Sequence, residues 1–322
     1  MSTKKWGEAF LKTGLPLEHF TLTVLTDAGW DCEPKWEYQR VNRDGQLVWF
    51  EVDMAAYAPV DDRGSLIILT ECKYHDQQRF WIFLPCSSSS YGQHGALSAG
   101  GDPESDGEVV HHGPYEPVRK PGEHTLISLA PQSMWGVSVS QAGVREENTV
   151  QHALDQLSYA YVPFCLDRAY TFCSSEPVAV VPAVVTSAKL FRLKAHTIDS
   201  IRHAGSPDDI ADEVAWLWCY HPPAACLLDH NNEQIELWRG RDRYVAKFAG
   251  LDDRLAALWS GPRWFMIVNA EHVAAAYNCV RNTYEGLPKN FARSKMLWRL
   301  ISSGARKARE RRKESMTSRA KR

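Results

Sequence analysis

The sequence predicts an α/β protein with a mixed central sheet flanked by helices, and three observations carry that reading. Apolar residues recur at helical spacing over 15–29 and again over 149–161. Between them lie runs with strand-like alternation, separated by the turn signals "NRDG" and "VDDRG". After the second helix comes the strongly apolar stretch "PVAVVPAVVTSAKLFRL". Helix, three strands, helix, strand is the order of a sheet covered by helices. With 322 residues, 44% of them hydrophobic, and 12 tryptophans, the chain can bury one large core or two moderate ones.

Each element follows from its own residues. In "LPLEHFTLTVLTDAG" the stripe is Leu15, Glu18, Leu22 and Leu25, with Pro16 near the start and Gly29 as a natural stop. One carboxylate, Glu18, therefore faces inward or sits at the core edge. "WDCEPKWEYQRV" and "LVWFEVDMAAYAP" flank "NRDG" as a hairpin. Alternation puts Phe50, Val52 and Met54 on one face of its second strand and Trp49, Glu51 and Asp53 on the other. In "LIILTECK" Ile67, Leu69, Glu71 and Lys73 share a face.

Residues 86–125 are rich in Ser, Gly and Pro, so they are expected to form a flexible insertion, with His111 and His112 solvated in it. Order returns with "HTLISLAPQSMWGVSVS" and then a helix with the stripe Val150, Leu154, Leu157 and Tyr161, Gln151 lying on its polar side. Pro182 marks an edge or a bend in the apolar strand that follows, which can be read as two strands. Farther on, "PDDIADEVAWLWCYH" reads as a helix, and "CLLDHNNEQIELWRG" as a hairpin around Asn231 and Asn232. "RWFMIVNAEHVAAAYNCV" reads as a strand and then a helix. The chain divides into a core over 1–200, an additional α/β C-terminal region over 201–288 and a basic arm over 289–322. Whether 201–288 forms its own domain or adds layers to the first sheet stays open at this level.

Composition narrows the function classes. No apolar run is long enough to span a bilayer, and "MSTKKWGEAFLKTG" lacks the features of a signal peptide, so a cytoplasmic protein with reduced cysteines is expected. Cys219, His221, Cys226 and His230 match no zinc-finger spacing, and burial of Cys226 as a small hydrophobe is preferred. No GxxxxGK[ST] phosphate loop is present. Net charge is −2, yet Lys289 to Arg322 carries +11 and the rest of the chain −13. Arg306, Lys307, Arg309, Arg311, Arg312 and Lys313 are the candidates in that arm for contacts to nucleic-acid phosphates, against the plain alternative of a solvated tail.

The chemistry concentrates at the ends of two strands. If "EVD" and "ECK" pair antiparallel, Asp53, Glu71 and Lys73 converge at one end of the sheet. Two carboxylates held about 4 to 6 Å apart repel and are costly to bury without a cation between them. Mg²⁺, with Mn²⁺ as an alternative, suits such oxygen ligands. A neighbouring lysine can orient water and offset charge on a phosphate. This is the layout of metal-assisted phosphodiester hydrolysis.

Glu18 in a leading helix, "EVD" ending in Asp53, "ECK" eighteen residues later, then a helix and an apolar strand together resemble the PD-(D/E)XK nuclease superfamily, the restriction-endonuclease-like fold. The resemblance covers residues 15–85 and, by element order, 149–193. It departs from the family pattern at Val52, where a proline often stands, and in the insertion at 86–125. It implies that Asp53 and Glu71 bind the metal, that Lys73 positions water and that Glu18 supports the metal from its helix. It further implies a metal-dependent endonuclease acting on DNA, double-stranded first, in antiviral defence. DNA, a second copy of the chain and a protein partner in a defence system are the implied partners. A DNA repair or recombination nuclease and a non-catalytic nucleic-acid-binding protein of the same fold are the alternatives.

Overall fold

The computed structural model describes residues 3–41, 45–59, 65–76, 78–86, 98–100, 129–141, 145–146, 149–171, 178–194, 198–241 and 261–286. Two helices open the chain, α1 (Thr3–Leu11) and α2 (Leu15–Asp27). Then come β1 (Asp31–Val41), β2 (Leu47–Pro59), β3 (Ser65–Lys73), β4 (Arg79–Pro85) and β5 (Ser98–Gly100). After these follow β6 (Gln132–Ser140), β7 (Arg145–Glu146), α3 (Thr149–Thr171), β8 (Val178–Thr186), β9 (Lys189–Leu193) and α4 (Ile198–His203). The last elements are β10 (Ala211–Val214), β11 (Trp216–Tyr220), α5 (Ala225–Arg241), β12 (Trp264–Asn269) and α6 (Val273–Gly286). The architecture is mixed α/β, as expected.

All described strands belong to one mixed sheet in the order β1-β2-β3-β8-β12-β11-β6-β4-β9-β10, with β5 on β8 and β7 on β6. β1, β2 and β3 are antiparallel neighbours, while β3 and β8 run parallel along their whole length. Only Ser187 and Ala188 separate β8 from β9, so their ends lie within about 11 Å of each other. Between them on the sheet stand β12, β11, β6 and β4. The sheet must therefore curl until its β9 side returns to β8. Pro182 sits in the middle of this arrangement, in a central strand rather than at an edge. It falls between the residues of β8 that pair with β5 (178–180) and those that pair with β12 (183–186). A residue with no N–H is tolerated where one flank changes partner.

β3 is buried on both faces, as expected for a strand covered on two sides. Leu66 and Ile68 enter a core with Leu17 and Leu25 of α2 and Val273 and Tyr277 of α6. Ile67 and Leu69 enter the other core with Leu157, Tyr161 and Phe164 of α3. Gly29 ends the α2 segment as the sequence predicts: its φ is 81°, and the Trp30 N–H donates back to the Leu25 carbonyl in a Schellman closure. The buried stripe of α2 is Leu17, Thr21 and Leu25, while Leu15, expected to face inward, is exposed. A rotation of the helix by a fraction of a turn moves Glu18 to the rim.

Three other expectations change. Val52 and Met54 do not share a core: Met54 joins Ala56 and Ala58 against α2 and α6, whereas Val52 joins Trp36 and Tyr38 under α3. The changeover falls beside Lys35, whose φ is 55°, so the distal half of the hairpin is turned over relative to its base. Residues 225–241 are helix α5, not a hairpin, because Leu227, Asn231 and Ile235 form a buried stripe at four-residue spacing. Residues 211–220 are strands β10 and β11, not a helix, apart from a single 3₁₀ turn at Pro207–Asp209 before them.

α3 continues through Pro163. With no N–H at that position, the Tyr159 carbonyl loses its helical donor. His230 of α5 approaches that oxygen with Nε2 at 3.0 Å and takes over the vacant role.

Candidate active site

The site forms where β2 leaves β3. Their antiparallel ladder runs from Pro59↔Ser65 to Met54↔Thr70, and the next position brings Asp53 beside Glu71. Instead of continuing the ladder, Asp53 turns its carboxylate to β3: the Cys72 N–H donates to Asp53 Oδ2 at 2.6 Å. Glu71 and Lys73 continue the face of Ile67 and Leu69, which α3 covers, while Cys72 points the other way with its Sγ 3.9 Å from Thr21 Oγ1. The convergence of Asp53, Glu71 and Lys73 expected from the sequence is thus present, but Asp53 lies in the middle of β2, where its pairing with β3 stops, not at a strand end.

Lys73 Nζ donates to Glu71 Oε1 at 2.6 Å and to Gln156 Oε1 of α3 at 2.6 Å. Gln156 was not a candidate in the sequence, whereas Gln151 was. Gln151 is exposed and reaches Asp155 and His221 on the other flank of the helix. The signal for Gln156 lies in Ala153 and Ala160, three residues before and four after it. Both are fully buried, and these small side chains let that flank of α3 lie close to β3.

The electrostatics are those of a pocket short of positive charge. Burial pushes Glu71 up to about 8, the Asp53 charge adds to it, and Lys73 offsets only part. Burial likewise pushes Asp53 up to about 6 against the hydrogen bond from Cys72, with Glu18 adding to the rise. Glu71 Oε2 is buried and has no hydrogen-bond partner. A hard divalent cation would supply both the missing charge and a partner for that oxygen, so the donor set fits Mg²⁺. Glu18 lies in the first turn of α2, half-buried, close enough for both acids to sense it. Even so, no three His, Cys, Asp or Glu side chains among the described residues converge as a ready-made metal cluster. Glu51 stays outside, exposed and paired with Lys35 at 3.5 Å.

Two aromatic-flanked groups extend the site along the hairpin. Tyr38 is buried beside Phe50, and its hydroxyl is pushed above the usual phenol range by burial first, with the Glu71 charge contributing. Arg40 follows on the same face of β1. The sequence offered no pattern for either.

The remaining candidates separate from this chemistry. Cys226 is exposed near the start of α5, contrary to its expected burial, and takes the Tyr159 hydroxyl at 3.3 Å. Cys219 is buried, His221 meets Asp155 at 3.1 Å and His230 meets the Tyr159 carbonyl, so no zinc set forms. All seven described cysteines are free thiols. A cavity of about 350 Å³ lined by Asp31, Cys32, Glu33, Tyr57 and Arg168 shares no residue with the site, and its one cation is already paired with Glu33. Arg306, Lys307, Arg309, Arg311, Arg312 and Lys313 lie outside the described residues, as does the expected insertion apart from Cys86 and 98–100. Among the described residues no helix is long and apolar enough to cross a membrane. No protein-family model, curated protein or solved structure matches the chain, so the site is read from its own geometry.

Proposed function

We propose that the protein is a Mg²⁺-dependent endonuclease that hydrolyses phosphodiester bonds of DNA. One observation carries the reading: a buried carboxylate with an unpartnered oxygen near the end of β3, beside a half-buried carboxylate from the middle of β2 and a lysine held in place by α3. The order and pairing of α2, β1–β3, α3 and β8, with β3 and β8 parallel, supports the restriction-endonuclease-like core that the resemblance implies.

Asp53 and Glu71 would hold the ion, with Glu18 adding negative field from α2. When bound, the ion lowers the pKa of water and neutralises charge on the phosphate. Lys73 is fixed through two of its three donors, by Glu71 and Gln156, which leaves the third for water or a phosphate oxygen. Water adds to phosphorus as the bond to the leaving oxygen breaks, and Lys73 offsets the negative charge that builds up on the way.

Incubating the protein with supercoiled plasmid tests this directly. Nicked or linear product is expected with Mg²⁺ and none with EDTA. Asp53→Ala and Glu71→Ala should abolish cleavage, and Lys73→Ala should slow it by orders of magnitude while metal-dependent stabilisation is kept. Cleavage surviving in Asp53→Ala removes the assignment.

A further inference from the structure

We propose that Arg40 is a phosphate-binding residue of this site, gripping the nucleic-acid backbone to one side of the bond that is cut. The inference rests on the phosphodiester reading above and deepens it. Arg40 stands on β1 opposite Val48, and its guanidinium carbon lies 3.8 Å from the centre of the Phe50 ring and 4.3 Å from that of Tyr159. One ring comes from the hairpin and the other from α3, so the cation is held by stacking at the seam between them. A guanidinium lying flat on a ring keeps its edge, where all five N–H donors point, for other partners. Among the described residues no hydrogen bond or ion pair takes those donors. Lys35, Arg168, Lys189 and Lys194 by contrast each meet a carboxylate. A preoriented cation with an unused planar fork suits a phosphate, whose oxygens it can take in pairs.

Its position agrees with that role. Tyr159, which Arg40 touches, lies one helical turn from Gln156, the partner of Lys73, so Arg40 stands on the same α3 side of the hairpin as the site. Along β2, Val48 is five residues from Asp53, about 17 Å of extended strand. Arg40 therefore meets a phosphate some nucleotides away from the one beside Asp53, and it acts in positioning rather than in the chemical step.

The test is binding of a short DNA duplex in EDTA, where no cutting occurs, over a series of salt concentrations. The wild-type chain is compared with Arg40→Met, which keeps the packing stem, and Arg40→Lys, which keeps the charge. Thermal unfolding of each variant is recorded alongside. Arg40→Met is expected to bind several-fold more weakly, with a log K against log salt slope smaller by about 0.9, and Arg40→Lys to retain the wild-type slope. Should Arg40→Met fold poorly, Arg40→Gln carries the same comparison. An unchanged slope in the neutral variant, whatever its melting temperature, overturns the proposal. Slope loss in a protein that never cuts with Mg²⁺ supports the phosphate grip and removes only the hydrolytic reading. A wild-type chain that binds no duplex at all overturns both.

Discussion

Glu71 shows how one residue links stability to the proposed chemistry. Its raised pKa means that the folded, metal-free protein keeps a proton that the unfolded chain releases near 4.5. Its contribution to stability is therefore largest at low pH and is lost as pH rises toward about 8. Asp53 acts in the same sense up to about 6. His230 acts in the opposite sense: burial lowers it to about 4, so stability is gained as pH rises from there to 6.5. Among the described groups with a shifted pKa, the Glu71 effect dominates between pH 6.5 and 8, worth up to about 2 kcal/mol at roughly 1.4 kcal/mol per unit. In EDTA the melting temperature should fall across that window, Glu71→Gln should flatten the fall and raise the value at pH 8, and Mg²⁺ should reverse it in the wild type. A flat wild-type profile in EDTA contradicts the burial argument. At this scale the sequence was informative for Asp53, Glu71 and Lys73, because strand alternation fixes which side chains share a face. It was silent on Gln156, Tyr38 and Arg40, which reach the site only through the packing of α3 and the turned-over hairpin.

Two elements depart from their sequence readings for different reasons. β11 has Leu217, Trp218 and Cys219 all buried, so it lacks the alternation that marks a half-exposed strand. In α5 the Asn231–Asn232 pair mimics a turn, but Asn231 is buried, His230 reaches α3 and the helix persists. The Pro163–His230 arrangement gives a test of how the two helices are tied. His230→Ala should cost about 1–3 kcal/mol, since it strands the half-buried Tyr159 carbonyl. In a Pro163→Ala background the helix supplies its own N–H to that oxygen, and the same His230 substitution should cost clearly less. Equal costs in the two backgrounds, measured by denaturant unfolding, would mean that His230 stabilises through packing alone.

At the scale of the whole molecule, β12 and β11 lie inside the sheet, directly after β8 and before β6, although they come late in the chain. Residues 1–200 alone would leave both the β8 and the β6 ladders open beside Val184, Val185 and Ser133. A chain ending at residue 200 is expected not to fold. Circular dichroism on that truncation checks this, and a cooperative unfolding transition in 1–200 would contradict it. The sequence by itself determined the local matters: an α/β composition, the helix with its Gly29 stop, the hairpin and β3, the strand and helix at 264–286, and an acid pair with a lysine on one sheet end. These follow from two- and four-residue periodicities and turn chemistry, which act over a few residues. Only the tertiary structure decided the strand order, the return of β9 to β8, the rotation that puts Glu18 at a rim, and the helix flank that brings Gln156 to Lys73. Those depend on which buried faces meet across long stretches of chain, and a fully buried strand carries no mark in its own residues of the neighbour it pairs with.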